Sequence, residues 1–179
     1  RGGNALAWQS IEGVRESGVT IFRPDAGVDT GPIVIQKGGV QVAPEATSAS
    51  LYFDELYPLG VEALVEAVAA VAQGSASFTP QAEAGASFQP LVDDGAARID
   101  WSRPGVEVDR RIRGCDPQPG AWAKRSGETV RLFGCTLAES VHGSPPGTLL
   151  EVPETGPAAV AAEGDTILRI ARWREPQGK

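Results

Sequence analysis

Apolar and polar positions follow two different rhythms along this chain. In the first, helical spacing alternates with short β-branched runs. Asn4 is placed to cap a helix over residues 5–14, where Ala7, Ile11 and Val14 recur at i, i+4 and i+7. Gly18 opens Val19-Thr20-Ile21-Phe22, a strand pattern that stops at Pro24. Residues 33–36 read as a second strand, and residues 40–42 as a third after a Gly38-Gly39 turn. Thr47 or Ser48 is the natural N-cap of a long helix carrying Leu51, Leu56, Val61, Leu64, Val65, Val68, Val71 and Ala72, which Gly74 ends. Pro58 lacks an N–H and should break or kink that helix at Tyr57. Residues 75–90, rich in Ser, Ala, Gly, Pro and Gln, have the composition of a linker.

The second rhythm is shorter. Apolar strings at 97–101, 129–133, 148–150, 158–161 and 166–170 are separated by Gly/Pro turns, with one short helix over 106–113. Many short strands at this spacing predict a small β-barrel.

Composition narrows the class. The chain is 41% hydrophobic and 22% charged, as ordinary globular proteins are. No run approaches a membrane span and no signal-peptide pattern opens it. It begins at Arg1 and holds no methionine, so we expect a piece of a longer protein. Cys115 and Cys135 are read as free thiols in a reducing cytoplasm, and a single histidine, His142, makes a zinc site from these residues alone untenable. Residues 1–91 carry four Lys/Arg against ten Asp/Glu, and residues 92–179 twelve against thirteen. Neither half supplies the broad positive field of non-specific nucleic-acid binding. Arg110, Arg111, Arg113, Lys124, Arg125 and Arg131 make the second half locally basic, a candidate docking face.

The chemistry concentrates between two predicted strands, in Asp25-Ala26-Gly27-Val28-Asp29-Thr30-Gly31-Pro32. Its glycines permit positive φ and close approach of a ligand to the backbone. Asp25 and Asp29 can either cap their own turn or present a carboxylate that orients a histidine or takes a proton, and spacing alone leaves both readings open. A calcium loop needs more carboxylates than these two. Asp29-Thr30-Gly31 is also the tripeptide of aspartic proteases, but no second such motif supplies the partner carboxylate. Trp101 and Trp122 are read as anchors of the small barrel's core, and the cysteines as buried apolar groups.

Arg1-Gly2-Gly3-Asn4-Ala5-Leu6-Ala7-Trp8, Gly18-Val19-Thr20-Ile21-Phe22 and the Asp25–Ile33 loop together closely resemble the 10-formyltetrahydrofolate-dependent formyltransferase family. The likeness continues through Thr47-Ser48-Ala49-Ser50-Leu51-Tyr52, Ala97-Arg98-Ile99-Asp100-Trp101-Ser102-Arg103-Pro104, Arg111-Ile112-Arg113-Gly114 and Pro119-Gly120-Ala121-Trp122, in order along nearly the whole chain. The resemblance implies an α/β fold: the remnant of a Rossmann-like catalytic domain over residues 1–78, a linker over 79–92, and an OB-like β-barrel domain over 93–179. It implies that Asp29 is the aspartate of the family's Asn–His–Asp catalytic set and that Pro24, Asp25, Ala26, Gly27 and Val28 line the pterin pocket. The Asn-x-His pair would precede Arg1, so this chain is expected to be inactive alone. The implied formyl donor is 10-formyltetrahydrofolate, with no metal. Three acceptor classes follow, with one non-enzymatic alternative. The closest is water, as in the hydrolase domain of 10-formyltetrahydrofolate dehydrogenases. The alternative is methionyl-tRNA, with initiator tRNA as the candidate partner. Sugar or peptide amines come third, and an OB-like binding module without catalysis last.

Overall fold

The computed structural model describes residues 2–152 and 156–175, which divide into two compact units. The first comprises residues 2–5, 14–44 and 50–91. Strands β1 (Glu16–Phe22) and β2 (Ile33–Gln41) form an antiparallel ribbon. The expected turn at Gly38-Gly39 does not exist: β2 runs through it as one strand. The register instead shifts between Ser17 and Val19, which pair with Val40 and Lys37, so β2 carries one extra residue. Gly39 takes φ +82° in this bulge, and a Cβ on Gly18 would overlap the Lys37 carbonyl oxygen. Two glycines therefore let the backbones meet where a hairpin was expected.

The expected long helix is three segments: a turn α2 (Ser48–Ser50), a π-helical stretch (Leu51–Leu56) and α3 (Tyr57–Ala72). Pro58 sits in the first turn of α3, where a missing N–H costs nothing. The Tyr57 N–H reaches back five residues to the Tyr52 carbonyl, the π-type bond that absorbs the break. The face of α3 that is buried also differs from expectation. Ala63 and Ala67 are buried, while Val61, Leu64, Val65, Val68 and Val71 are exposed. Small residues allow close approach to the ribbon, with Gly60 near Val19, and Lys37 Nζ donates to Glu62 and Glu66 at 2.7 Å each. The linker-like stretch is tied down as well. Thr79 pairs with Ile33, and the Arg23 guanidinium lies 4.5 Å from the Phe78 ring centroid.

The second unit comprises residues 6–13, 45–49 and 92–175 among those described. Helix α1 (Ala5–Glu12) puts Ala7 into the core of this unit, although it lies in the stretch assigned by sequence to the first domain. Helix α4 (Gly105–Gly114) contributes Val108 and Ile112. Strands β3 (Ala121–Arg125), β4 (Glu128–Glu139), β5 (Leu149–Glu151), β6 (Ala158–Ala161) and β7 (Thr166–Arg174) make one curled antiparallel sheet in the order β3-β4-β7-β6-β5. Leu168 and Ile170 are its largest fully buried side chains. Residues 97–101, expected as a strand, make only a single bridge to Trp122. Asp100 Oδ1 accepts from Ser102 N–H at 3.0 Å and its hydroxyl at 2.6 Å, turning the chain before it can extend the sheet. Among the described residues no helix is long and apolar enough to cross a membrane.

Candidate functional site: the loop between β1 and β2

The loop is pinched at its neck. Arg23 N–H donates to the Pro32 carbonyl at 3.0 Å, and a Cβ on Gly31 would overlap the Arg23 oxygen, so only glycine closes it there. Inside, Asp25 Oδ1 accepts from Gly27 N–H at 3.0 Å and from the Thr30 hydroxyl at 2.7 Å. The Thr30 bond first, then the Gly27 amide, hold the Asp25 carboxyl below the usual carboxylate range. Asp25 thus organises its own turn. Pro24, Ala26, Gly27 and Val28 all lie exposed along the loop's outer course.

Asp29 is placed differently. It is half-buried and takes φ +55°, a left-handed conformation that costs a non-glycine residue about 1 kcal/mol and that aspartate tolerates better than most. Gln81 Nε2 donates to the Asp29 carbonyl at 3.0 Å and to the Gly31 carbonyl at 2.7 Å, clamping the backbone on either side of Thr30. No hydrogen bond or ion pair to the Asp29 carboxylate occurs among the described residues. The backbone is held while the side chain stays available. Gln81 comes from the stretch read as linker, fifty-two residues away, and no local spacing signals it.

Residues 1–68 match the family described as formyl transferase, and residues 92–179 match the formyl transferase C-terminal domain. The chain belongs to the formyl transferase family. It is 40% identical over 140 residues to the mitochondrial 10-formyltetrahydrofolate dehydrogenase of Mus musculus, covering 78% of this chain and 15% of that one. It is 42% identical over 139 residues to the methionyl-tRNA formyltransferase of Dinoroseobacter shibae, covering 78% and 45%. The crystal structure of HypX from Aquifex aeolicus in complex with tetrahydrofolic acid matches with a TM-score of 0.83 at 29% identity, over 99% of this chain and 30% of that one. The chain spans less than half the length of these relatives.

The other residues singled out in this formyl transferase chain have structural partners. His142 Nδ1 accepts from Ser144 N–H at 3.0 Å and Nε2 lies 2.9 Å from the Thr166 carbonyl, so both ring nitrogens are engaged. Trp122 Nε1 donates to the Asp94 carbonyl at 2.6 Å. Cys115 and Cys135 are free and buried, and burial pushes the Cys115 thiol up to about 11 and raises Cys135 further. Among the described residues no group of three His, Cys, Asp or Glu could hold a metal.

Proposed function

We propose that the β1–β2 loop is the folate-facing edge of an enzyme that uses 10-formyltetrahydrofolate, with Asp29 its catalytic carboxylate and Pro24, Asp25, Ala26, Gly27 and Val28 its pterin-lining wall. The observation that carries this reading is the asymmetry between the two aspartates. Asp25 is consumed in holding the turn, whereas Asp29 has its backbone clamped by Gln81 and its carboxylate free. A strained φ held by the surroundings is the kind of local cost that functional positions carry. Likeness to a tetrahydrofolate-bound HypX structure supports the ligand class. The first unit is then the end of a Rossmann-like domain, and the second an OB-like one.

Formyl transfer requires attack on a formamide-like carbon through a tetrahedral oxyanion. A carboxylate contributes by raising the basicity of a histidine, which deprotonates the attacking amine or water. That is the role we assign to Asp29. Donor amides and neutral side chains along the loop suit a polar heterocycle. No metal enters.

Water is the acceptor we favour, because the 10-formyltetrahydrofolate dehydrogenases that the chain resembles carry no amine acceptor in their name. Methionyl-tRNA is the second reading, favoured by the 42% identity to a methionyl-tRNA formyltransferase. The full-length protein, supplied with 10-formyltetrahydrofolate alone and then with methionyl-tRNA, separates the two. Release of tetrahydrofolate without tRNA supports hydrolysis, formylated tRNA supports the second reading, and turnover with neither removes both.

A further inference from the structure

We propose that the curled sheet of the second unit carries a binding site for one aromatic ring bearing an anionic group, an aryl carboxylate. The proposal does not depend on the folate reading of the β1–β2 loop. The sheet leaves a cavity of about 110 Å³ open to solvent. Its floor is aliphatic, with Val160 and Ile170 from neighbouring strands. Trp101 and Trp173 form aromatic walls, each half-buried. Well-packed cores leave few voids of this size, and an apolar cavity of about 150 Å³ accepts a benzene ring. The enclosed space suits a single ring, with the rest of a ligand at the open mouth.

The walls are preset. A Cβ on Gly147 would lie 2.7 Å from Trp101 Cγ, so the backbone of this loop lies directly on the indole and fixes its position. Gly147 N–H donates to the Ala161 carbonyl at 2.8 Å, which ties that loop to β6. An incoming ring therefore meets a surface that needs no ordering on binding.

Charge selects among aromatic ligands. Arg125 shares the cavity face of β3 with Ala123 and no lining residue is acidic, whereas the Lys124 ammonium turns to the opposite face, 5.8 Å from the Trp122 ring centroid. The Arg125 guanidinium lies 6.0 Å from the Trp173 ring centroid, where cation and aromatic wall form one surface. Arg125 pairs with Glu175 at 3.1 Å, but both side chains are more than half exposed, so this pair is screened and exchangeable. Lys124 Nζ donates to the Thr129 hydroxyl at 2.8 Å, away from the cavity, which leaves Arg125 as the cation at its mouth. A carboxylate at the mouth replaces Glu175 on Arg125 while the ring fills the cavity.

The test is titration of the 179-residue chain by calorimetry and tryptophan fluorescence with benzoate, benzyl alcohol and acetate. Saturable binding of benzoate, tighter than either of the others, is expected. Arg125→Gln should weaken benzoate by about two- to fivefold, the range of a screened ion pair, and leave benzyl alcohol unchanged. Glu175→Gln should strengthen benzoate by removing the competitor. Leu149→Trp, which fills the mouth from an exposed position, should abolish binding of both ring compounds without unfolding the sheet. Benzoate no tighter than benzyl alcohol would overturn the proposal, as would indifference to Arg125→Gln and Glu175→Gln.

Discussion

Asp25 commits one carboxylate oxygen to two donors of its own loop, Gly27 N–H and the Thr30 hydroxyl. Those bonds lower its pKa below 3.8, the value it returns to when the loop opens. A group whose folded pKa is depressed stabilises the fold above its unfolded pKa and loses that contribution as pH falls through the folded one. Local hydrogen exchange of residues 25–30 should therefore accelerate as pH drops below 3.8, beyond the intrinsic exchange rate. Asp25→Asn retains an acceptor and should damp this pH dependence, whereas Asp25→Ala should open the loop at neutral pH and raise KM for the folate with little change in kcat. Equal KM for both variants and the parent would refute a pocket-wall role. Cys115 carries the opposite sign. Its thiol is raised from 9.0 to about 11 by burial, so its contribution is intact below pH 9 and is lost as pH rises towards 11. The second unit should lose stability across that window, and Cys115→Ala should flatten the decline. At this scale the sequence disclosed the loop, because glycine, proline and short polar side chains mark it. It could not disclose Gln81, whose bonds to Asp29 and Gly31 depend on where a fifty-residue excursion returns.

At the scale of elements, helix and strand periodicities identified most segments but not how they continue or which face they bury. Gly38-Gly39 has the composition of a turn, yet the pairing of Lys37 and Val40 across Gly18 makes it a bulge within one strand. Gly18→Ala should destabilise the first unit more than Gly39→Ala, because the former meets backbone and the latter open space. The Gly39 change carries only the left-handed conformational cost of about 1–2 kcal/mol, and urea unfolding of both variants checks the order. In α3, the larger apolar residues were the natural choice for the buried face, and the alanines bury instead because close approach to a ribbon favours small side chains. The exposed Val61–Val71 stripe is an association hazard in the isolated chain. Val65→Lys with Val68→Glu should reduce aggregation while moving stability by no more than roughly 0.5 kcal/mol each. A marked loss of stability would mean that this face is packed in solution.

At the scale of the molecule, contiguous sequence is a poor guide to the units. The residues before 79 look like one domain and those after 92 another, and the family matches divide similarly. The second unit nevertheless recruits α1 and residues 45–49. A Cβ on Gly114 would lie 2.7 Å from Ile11 Cγ1 and 2.8 Å from the Ala7 carbonyl, so α1 and α4 meet at glycine contact. The segment at 45–49 is held by Arg113 Nη1, which donates to the Ala46 carbonyl at 2.9 Å, and by the Ser48 hydroxyl on the Asp116 carbonyl at 2.7 Å. The same Arg113 forms a buried pair with Asp109 at 2.6 Å. The Asp109–Arg113 pair has the i, i+4 spacing of a helix, but the contacts that bring α1 and residues 45–49 to α4 have no periodicity or motif that would reveal them in the sequence. A polypeptide of residues 92–179 alone should consequently melt at lower temperature than the second unit within the intact chain. Equal melting temperatures would show that α1 and residues 45–49 contribute nothing to it.

We propose that Asp29 acts on the reaction rather than on the loop. Single-turnover release of tetrahydrofolate from 10-formyltetrahydrofolate by the full-length protein, compared with its Asp29→Asn variant, tests it most directly. Asparagine keeps the shape and the backbone bonds to Gln81 but removes the charge. Loss of the aspartate charge beside a catalytic histidine lowers kcat by about 10⁴-fold in a serine protease, so a loss of at least ~10²-fold is predicted here, with folate affinity and melting temperature unchanged. A near-native rate, or a loss of rate matched by a fall in melting temperature, would contradict it.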